Sequence, residues 1–453
     1  MDPRFLPHNS HLADPQSFRE RDPQLRHLAT CPLRHRSPLL DRLPEATPGI
    51  YSLGGGRQIG KSTLLKQWIA ELIDRGTPAG AITFLTGELI DDHHGLLLQM
   101  TTHLEEASPH GRNFLIVDEV TDIRDWDKAV KFAADAGMLE RTVLMVTGSD
   151  LTLMQDARVR FPGRRGVAAE PDFRLHPLSF GEYVALTGTV AEPEALGSAE
   201  TLPDSSALDD LYAAFDRYLL HGGYLTAIND LAGLDTIRPS TLATYSDWIR
   251  GDVTKRGRQE AYLREVLSAL VNRYTSQITW NALARELSID HPSTVADYVE
   301  LLQRMDAVCI LPALREDTLS PAPKKARKVV FSDPFILHAV CAWLEPASAS
   351  FERQRQRAAD PVWGSRIVEA CVAAHCRRTH PTYYIKAQGE VDVAYIRDGR
   401  FWPVEVKWTN QLRPKDIKQV ARYPNAEIWG KGRQVSELNG VRVLPLPLRL
   451  LSL

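Results

Sequence analysis

Residues 49–62 read Gly-Ile-Tyr-Ser-Leu-Gly-Gly-Gly-Arg-Gln-Ile-Gly-Lys-Ser. Within them, Gly55 to Ser62 fit the pattern G-x-x-x-x-G-K-[ST]. The pattern stands where its chemistry needs it, after a short apolar strand (50–53) and at the start of an amphipathic helix (61–74). Glycines let backbone N–H groups turn inward around phosphate oxygens, and the helix start adds its partial positive charge. The stretch predicts a nucleoside triphosphate site, with ATP and Mg²⁺ as the expected cofactors. Lys61 is expected on the β- and γ-phosphates and the Ser62 hydroxyl on Mg²⁺. Gly55, Gly56, Arg57, Gln58, Ile59, Gly60 and Thr63 complete the expected nucleotide contacts.

Outward from this loop, apolar strand-like runs at 81–85, 114–117 and 142–146 alternate with helical ones at 96–105 and 126–136. Such alternation predicts a parallel sheet covered by helices, an α/β fold. The run Phe114-Leu115-Ile116-Val117 ends in Asp118 and Glu119. Asp118 is the expected second Mg²⁺ ligand, and Glu119 the carboxylate that polarises the attacking water. Thr147 closes the next buried strand, where a hydroxyl either senses the γ-phosphate or caps a turn. Arg164 is a candidate arginine finger, with a solvated loop as the alternative. Asp91, Asp92, His93 and His94 are consecutive, so they cannot all converge on a metal and read as a loop.

Further along, a short helix at 279–287, a turn, a helix from Ser293 to Met305 and a strand at 307–311 form a helix–turn–helix–strand pattern, a winged-helix signature. The second helix carries Asp297 and Glu300, which suits phosphate poorly. Lys255, Arg256 and Arg258, or Lys324, Lys325, Arg327 and Lys328, are better placed for a DNA backbone. A winged helix that docks protein is the alternative. In the tail, Glu369 lies on an amphipathic helix, Asp392 in a strand, and Glu405 and Lys407 alternate onto one face of the next. Asp392 and Glu405 are the expected ligands of a second Mg²⁺ or Mn²⁺, with Lys407 orienting water and Glu369 assisting.

These motifs resemble a family of prokaryotic AAA-type ATPases whose C-terminal half was long catalogued as a domain of unknown function. The resemblance rests on residues 56–62, 117–119, 147–149 and 163–164, on His176-Pro177-Leu178-Ser179-Phe180-Gly181-Glu182-Tyr183, on Gly222-Gly223-Tyr224 and on Phe331-Ser332-Asp333-Pro334. It departs at Thr121, where relatives often carry Gln. The resemblance implies a P-loop ATPase domain, then a winged helix. The tail resembles the PD-(D/E)xK nuclease fold, a restriction-endonuclease-like α/β domain.

The expected divisions are an extended N-terminal arm (1–46), the ATPase domain (47–185), a flexible insertion and helical lid (186–240), a winged-helix domain (241–345) and the nuclease-like domain (360–453). Net charge is −3 and the charged fraction 25%, so any DNA surface is a local patch. Five cysteines form no CxxC pair, and no apolar run approaches the roughly 20 residues that span a bilayer. A cytoplasmic protein without a membrane partner is expected. The expected activity is ATP hydrolysis (an ATP phosphohydrolase) in association with DNA, with a metal-dependent deoxyribonuclease tail, in DNA maintenance or defence. Arg164 acting in trans would make it a homo-oligomer. The alternative is an ATP-dependent switch or scaffold whose tail binds protein and cleaves nothing.

Overall fold

The computed structural model describes residues 1–149, 161, 163–166, 170–190, 192–193, 196, 203–409, 412–413 and 417–453. The chain divides into two compact units, Met1–His176 and Pro177–Leu453.

In the first unit, strands β1 (Gly49–Gly54), β2 (Ile82–Thr86), β3 (Asn113–Asp118), β4 (Thr142–Gly148) and β5 (Asp172–Arg174) form one parallel sheet in the order β2-β3-β4-β1-β5. Strand alternation splits its side chains into two cores. Tyr51, Leu53, Phe114, Ile116, Val143 and Met145 pack with Leu64, Leu65 and Trp68 of helix α3 (Lys61–Asp74). Ile50, Leu115, Val117, Leu144 and Val146 pack instead with α4 (His93–Ala107) and α5 (Trp126–Asp135). A sheet apolar on both faces must be covered on both, and this one is. Asp92 accepts from the His94 and Gly95 amides and caps α4, so the Asp-Asp-His-His run is a helix start.

Residues 1–46 are not an extended arm. They form short helical turns, including α1 (Phe18–Arg21) and α2 (Pro23–Thr30), whose Phe5, Phe18, Leu25, Leu39 and Leu40 are buried. The reason is the exposed edge of β2. The Asn9 amide donates to Phe84 O and accepts from Phe84 N, both at 2.7 Å, as a neighbouring strand would. His11 lies 3.0 Å from Ile82 O, and burial pushes its imidazole down to about 4. Lys66, buried on α3, is bonded to His8 O, pairs with Asp22 at 3.4 Å and sits 3.7 Å from the Phe84 ring centroid. An edge strand needs such cover.

The second unit, Pro177–Leu453, contains both stretches expected as domains, 241–345 and 360–453. Short strands β6 (Gln277–Ile278), β7 (Val308–Pro312) and β10 (Arg327–Phe331) form an antiparallel sheet in the order β6-β10-β7, with β8 (Leu314–Arg315) and β9 (Ser320–Pro321) as a hairpin. Helices Glu260–Asn272, Trp280–Ala284 and Pro292–Arg304 accompany it. The last begins one residue before the expected Ser293, at Pro292, a favoured first helical residue, with His291 in the cap position. Six further strands form a mixed sheet in the order β11-β12-β13-β14-β16-β15. They are β11 (Thr382–Lys386), β12 (Glu390–Arg397), β13 (Arg400–Lys407), β14 (Glu427–Gly430), β15 (Ser436–Leu438) and β16 (Val441–Pro445). Tyr384 of β11 bridges to Ala313, directly after β7, and Arg377 of helix Pro361–Thr379 donates to Ile310 O of β7 at 3.1 Å.

Three stretches of the quoted resemblance meet within this unit. Leu178 N donates to Gly223 O, and Gly223 N donates to Asp333, each at 2.8 Å. Asp333 also accepts from Phe335 N, and burial pushes its carboxyl up to about 7. Ser179 and Glu182 form a capping box on helix Phe180–Thr187. These motifs therefore have a packing reason to exist. The insertion expected at 186–240 falls partly outside the described residues; its described part holds helices Ser205–His221 and Leu225–Leu234.

Asn9→Ala is expected to lower the stability of the first unit by roughly 2–4 kcal/mol, because the Phe84 N–H and C=O both lose their partner. Hydrogen exchange at the Phe84 amide and a urea titration would read this. Unchanged protection and midpoint would mean that Asn9 does not hold the edge.

Candidate functional site

The parallel sheet sets the geometry of the first site. Parallel strands bring their C-terminal ends to one edge, and β4 lies between β1 and β3. The loop after β1, the carboxylates ending β3 and the hydroxyl ending β4 must therefore meet. Gly60 (φ 95) and Gln58 (φ 60) adopt left-handed backbone, which wraps the loop before α3 begins. The first turn of α3 has no side-chain cap and no acidic residue, so its N–H groups face the loop without an internal acceptor. Lys61 is 4% exposed, and its ammonium donates to Gly55 O (3.1 Å) and Gly56 O (3.0 Å) and lies 3.3 Å from Glu119 Oε1.

Asp118 is the centre of the cluster. Its Oδ2 accepts from Ser62 Oγ and its Oδ1 from Thr147 Oγ1, both at 2.5 Å. Burial raises its pKa, while the two hydroxyls oppose that rise. Thr147 Oγ1 in turn accepts from Glu119 N at 3.0 Å. One hydroxyl thus fixes both acids, a task beyond a simple capping turn. Glu119 has φ 51, a strained value for a side-chain-bearing residue, and its buried Oε2 has no hydrogen-bond partner. The turn is pressed from behind by Gly87, where a Cβ would stand 2.3 Å from Glu119 O. Sequence reading missed Gly87, whose only signal is a glycine directly after an apolar strand. It also missed Arg174, which ends a three-residue strand in register with Gly54, beside the loop. Three residues are too few to show a period.

Arg57, Ile59 and Thr63 lie in the loop and first helical turn, as expected of their position. Arg164 does not join them. The 163–166 turn lies against Pro48 and Gly49 at the N-terminal end of β1. Its guanidinium pairs with Asp135 at the C-terminal end of α5, with Nε–Oδ1 at 2.5 Å. This is the sheet edge opposite the phosphate loop, so Arg164 cannot reach the loop of its own chain.

A hydroxyl and one carboxylate, Ser62 and Asp118, are the protein groups that fit Mg²⁺ here. Mg²⁺ commonly takes one or two protein oxygens and completes its shell with phosphate and water. Among the described residues no group of three or more His, Cys, Asp or Glu side chains is arranged to hold a metal.

The tail's acids do come together, but around cations of the chain itself. Lys328 of β10 is 1% exposed and pairs with Glu369 Oε1 (2.7 Å) and Glu390 Oε1 (2.5 Å), with Asp392 Oδ1 at 3.8 Å. It is therefore no phosphate-facing loop residue, contrary to the expectation for 324–328. Lys324 and Lys325 are exposed, and Arg327 sits 4.6 Å from the Trp280 ring centroid. Asp392 Oδ2 accepts from Val406 N at 2.9 Å, and Glu405 Oε1 pairs with Lys407 at 2.6 Å. Burial pushes Glu369 up to about 7 and Glu405 up to about 8. Only Glu405 Oε2 is buried without a hydrogen-bond partner in this cluster. One oxygen of each acid is committed, Asp392 Oδ2 to the Val406 amide and Glu405 Oε1 to Lys407, and Lys328 stands 3.8 Å from Asp392 Oδ1, so a divalent cation on Asp392 and Glu405 would meet an ammonium already there.

Residues 47–184 match the model of a family described as an AAA domain, and residues 212–347 match a domain of unknown function (DUF8612). The first unit is thus an AAA-type α/β domain. No curated protein matches the chain. Among solved structures, the Walker-type ATPase PABY2304 of Pyrococcus abyssi is 14% identical, with 64% of this chain and 90% of that one covered and a TM-score of 0.42. RuvB of Thermotoga maritima is 16% identical, covering 58% and 81%, with a TM-score of 0.29. Cdc6p of Pyrobaculum aerophilum is 15% identical, covering 76% and 95%, with a TM-score of 0.25. No described helix is long and apolar enough to cross a membrane.

Gly87→Ala is expected to push the Glu119 turn away and to lower stability by about 1–3 kcal/mol through overpacking. Urea titration of the variant against wild type would measure the loss. Equal midpoints would mean that the Asp118–Glu119 turn is not wedged by Gly87.

Proposed function

We propose that the chain binds and hydrolyses Mg-ATP and couples this to work on DNA. The observation that carries the reading is the convergence of Lys61, Ser62, Asp118, Glu119 and Thr147 at one sheet edge. In this reading Lys61 leaves the Gly55 and Gly56 carbonyls for the β- and γ-phosphates, and the α3 amides cradle them. Ser62 and Asp118 hold Mg²⁺, which neutralises charge on the transferring phosphoryl group. Glu119, with one oxygen uncommitted, accepts the proton of the attacking water. Thr147 keeps the two acids in their separate roles. Lys61→Ala is expected to abolish Mg-ATP binding, and Glu119→Gln to retain binding and lose turnover by at least about a hundredfold. Fluorescent-nucleotide titration with phosphate-release kinetics separates the two; undiminished affinity in Lys61→Ala would overturn the site.

The placement of Arg164 supports a homo-oligomer. A finger at the opposite sheet edge serves only a neighbour's phosphate loop, and its Asp135 partner holds it in the meantime. Arg164→Ala is expected to lower turnover by roughly 10³-fold with ATP affinity unchanged. Mixing Lys61→Ala chains, which keep Arg164, with Arg164→Ala chains should restore activity. No restoration in the mixture, at concentrations where chains associate, would exclude a finger in trans.

The DNA side of the reading rests on residues 255–331. Three helices with the β6-β10-β7 sheet support a winged helix, with backbone contact through exposed Lys324 and Lys325 and through Lys255, Arg256 and Arg258. Asp297, which pairs with Arg258 at 3.3 Å, and Glu300 speak against deep insertion of helix Pro292–Arg304 into a groove. The mixed sheet of the tail supports a PD-(D/E)xK-like fold. A specific observation, the ammoniums seated among its acids, favours the second reading for this part: a tail that docks protein and, as it stands, does not cleave. None of the five cysteines, all among the described residues, is in a disulfide, which suits a reducing cytoplasm.

A further inference from the structure

Lys328 is the most deeply buried cation of the tail cluster, and it comes from elsewhere in the fold. Its acids stand on helix Pro361–Thr379 (Glu369) and on β12 (Glu390, Asp392), whereas Lys328 stands on β10 of the three-stranded sheet. Gln277, its register partner on β6, bonds Glu390 as well and accepts from Lys386 at 2.5 Å. Two residues of one sheet thus reach into the acids of the other. An isolated buried ammonium costs several kcal/mol of desolvation, so it persists only where carboxylates converge on it. Those carboxylates include Asp392, one of the two acids expected to take a divalent cation.

We propose that Lys328 is a built-in cation that occupies the acidic cluster and competes with divalent metal for it. The proposal rests on reading Asp392 and Glu405 as the acids of a PD-(D/E)xK-like site. A Lys ammonium and a divalent ion answer the same demand, positive charge among convergent carboxylates, and cannot share one space. The Glu405 oxygen without a partner marks the unfilled part of that demand: one ammonium satisfies Glu369 and Glu390 but leaves Glu405 to Lys407 alone. Removing the Lys328 ammonium would leave Glu369, Glu390 and Asp392 without the cation they share. Like charges at close quarters then draw in a divalent ion.

The test is Mn²⁺ binding by the full-length chain without nucleotide, followed by electron paramagnetic resonance of the free ion. Lys328→Met is expected to bind an Mn²⁺ at least about tenfold more tightly than wild type, and adding Asp392→Asn should abolish the gain. Should Lys328→Met not fold, the pair Lys328→Met with Glu369→Gln removes one charge of each sign, and the same gain is expected of it. Tight, Asp392-dependent binding in wild type that Lys328→Met leaves unchanged would overturn the competition and leave the metal-site reading standing. No Asp392-dependent binding in any folded variant would overturn both.

Discussion

The pair of hydrogen bonds on Asp118 is the constraint from which the first unit's chemistry follows. A carboxylate buried at the end of a strand raises its own pKa and invites protonation. Ser62 and Thr147 counter this from two sides. They can do so because β4 lies between β1 and β3. Had β1 and β3 been neighbours, Thr147 could not stand between loop and acid. Strand order is thus a statement about chemistry, since it decides which side chains meet at the sheet edge.

The same constraint explains the strain at Glu119. Thr147 spends its donor on Asp118 and its acceptor on the Glu119 amide. That fixes the backbone at Glu119 in a left-handed turn, with the approach of Gly87 closing the alternative. Glu119 then points one oxygen at Lys61 and keeps the other without a partner. Two adjacent acids acquire different environments from one hydroxyl, as the proposed division between a metal ligand and a base requires.

Much of this was legible in the sequence because it is local. The phosphate loop, the apolar run ending in Asp118 and the amphipathic α3 each announce themselves within a few residues. The N-terminal segment was not legible, since its Pro-, Arg- and His-rich composition hides a task set from outside it. Asn9 and His11 satisfy Phe84 and Ile82, more than 70 residues away. Nor was Lys328, which stands in a basic run that reads as a solvated face. Strand period turns it inward and Arg327 outward, and only the tertiary fold says what waits there. Lys324 and Lys325 stay exposed, whereas Lys328 is the most buried lysine among the described residues of the unit.

The chain therefore meets one problem, buried acids, in two ways. Around Asp118 the donors are neutral hydroxyls. They hold the carboxylate without cancelling its charge, as the proposed Mg²⁺ ligand beside the Gly55–Gly60 loop requires. Around Glu369, Glu390 and Asp392 the donor is an ammonium, which cancels charge and fills space together. Hydroxyls preserve a site for something that arrives; an ammonium makes the cluster a joint between two sheets. A joint held by charge is also one that charge can open. Lys325 and Lys328, three residues apart, end on different partners: Lys325 donates to Lys386 O at 2.9 Å, while Lys328 sits among the acids.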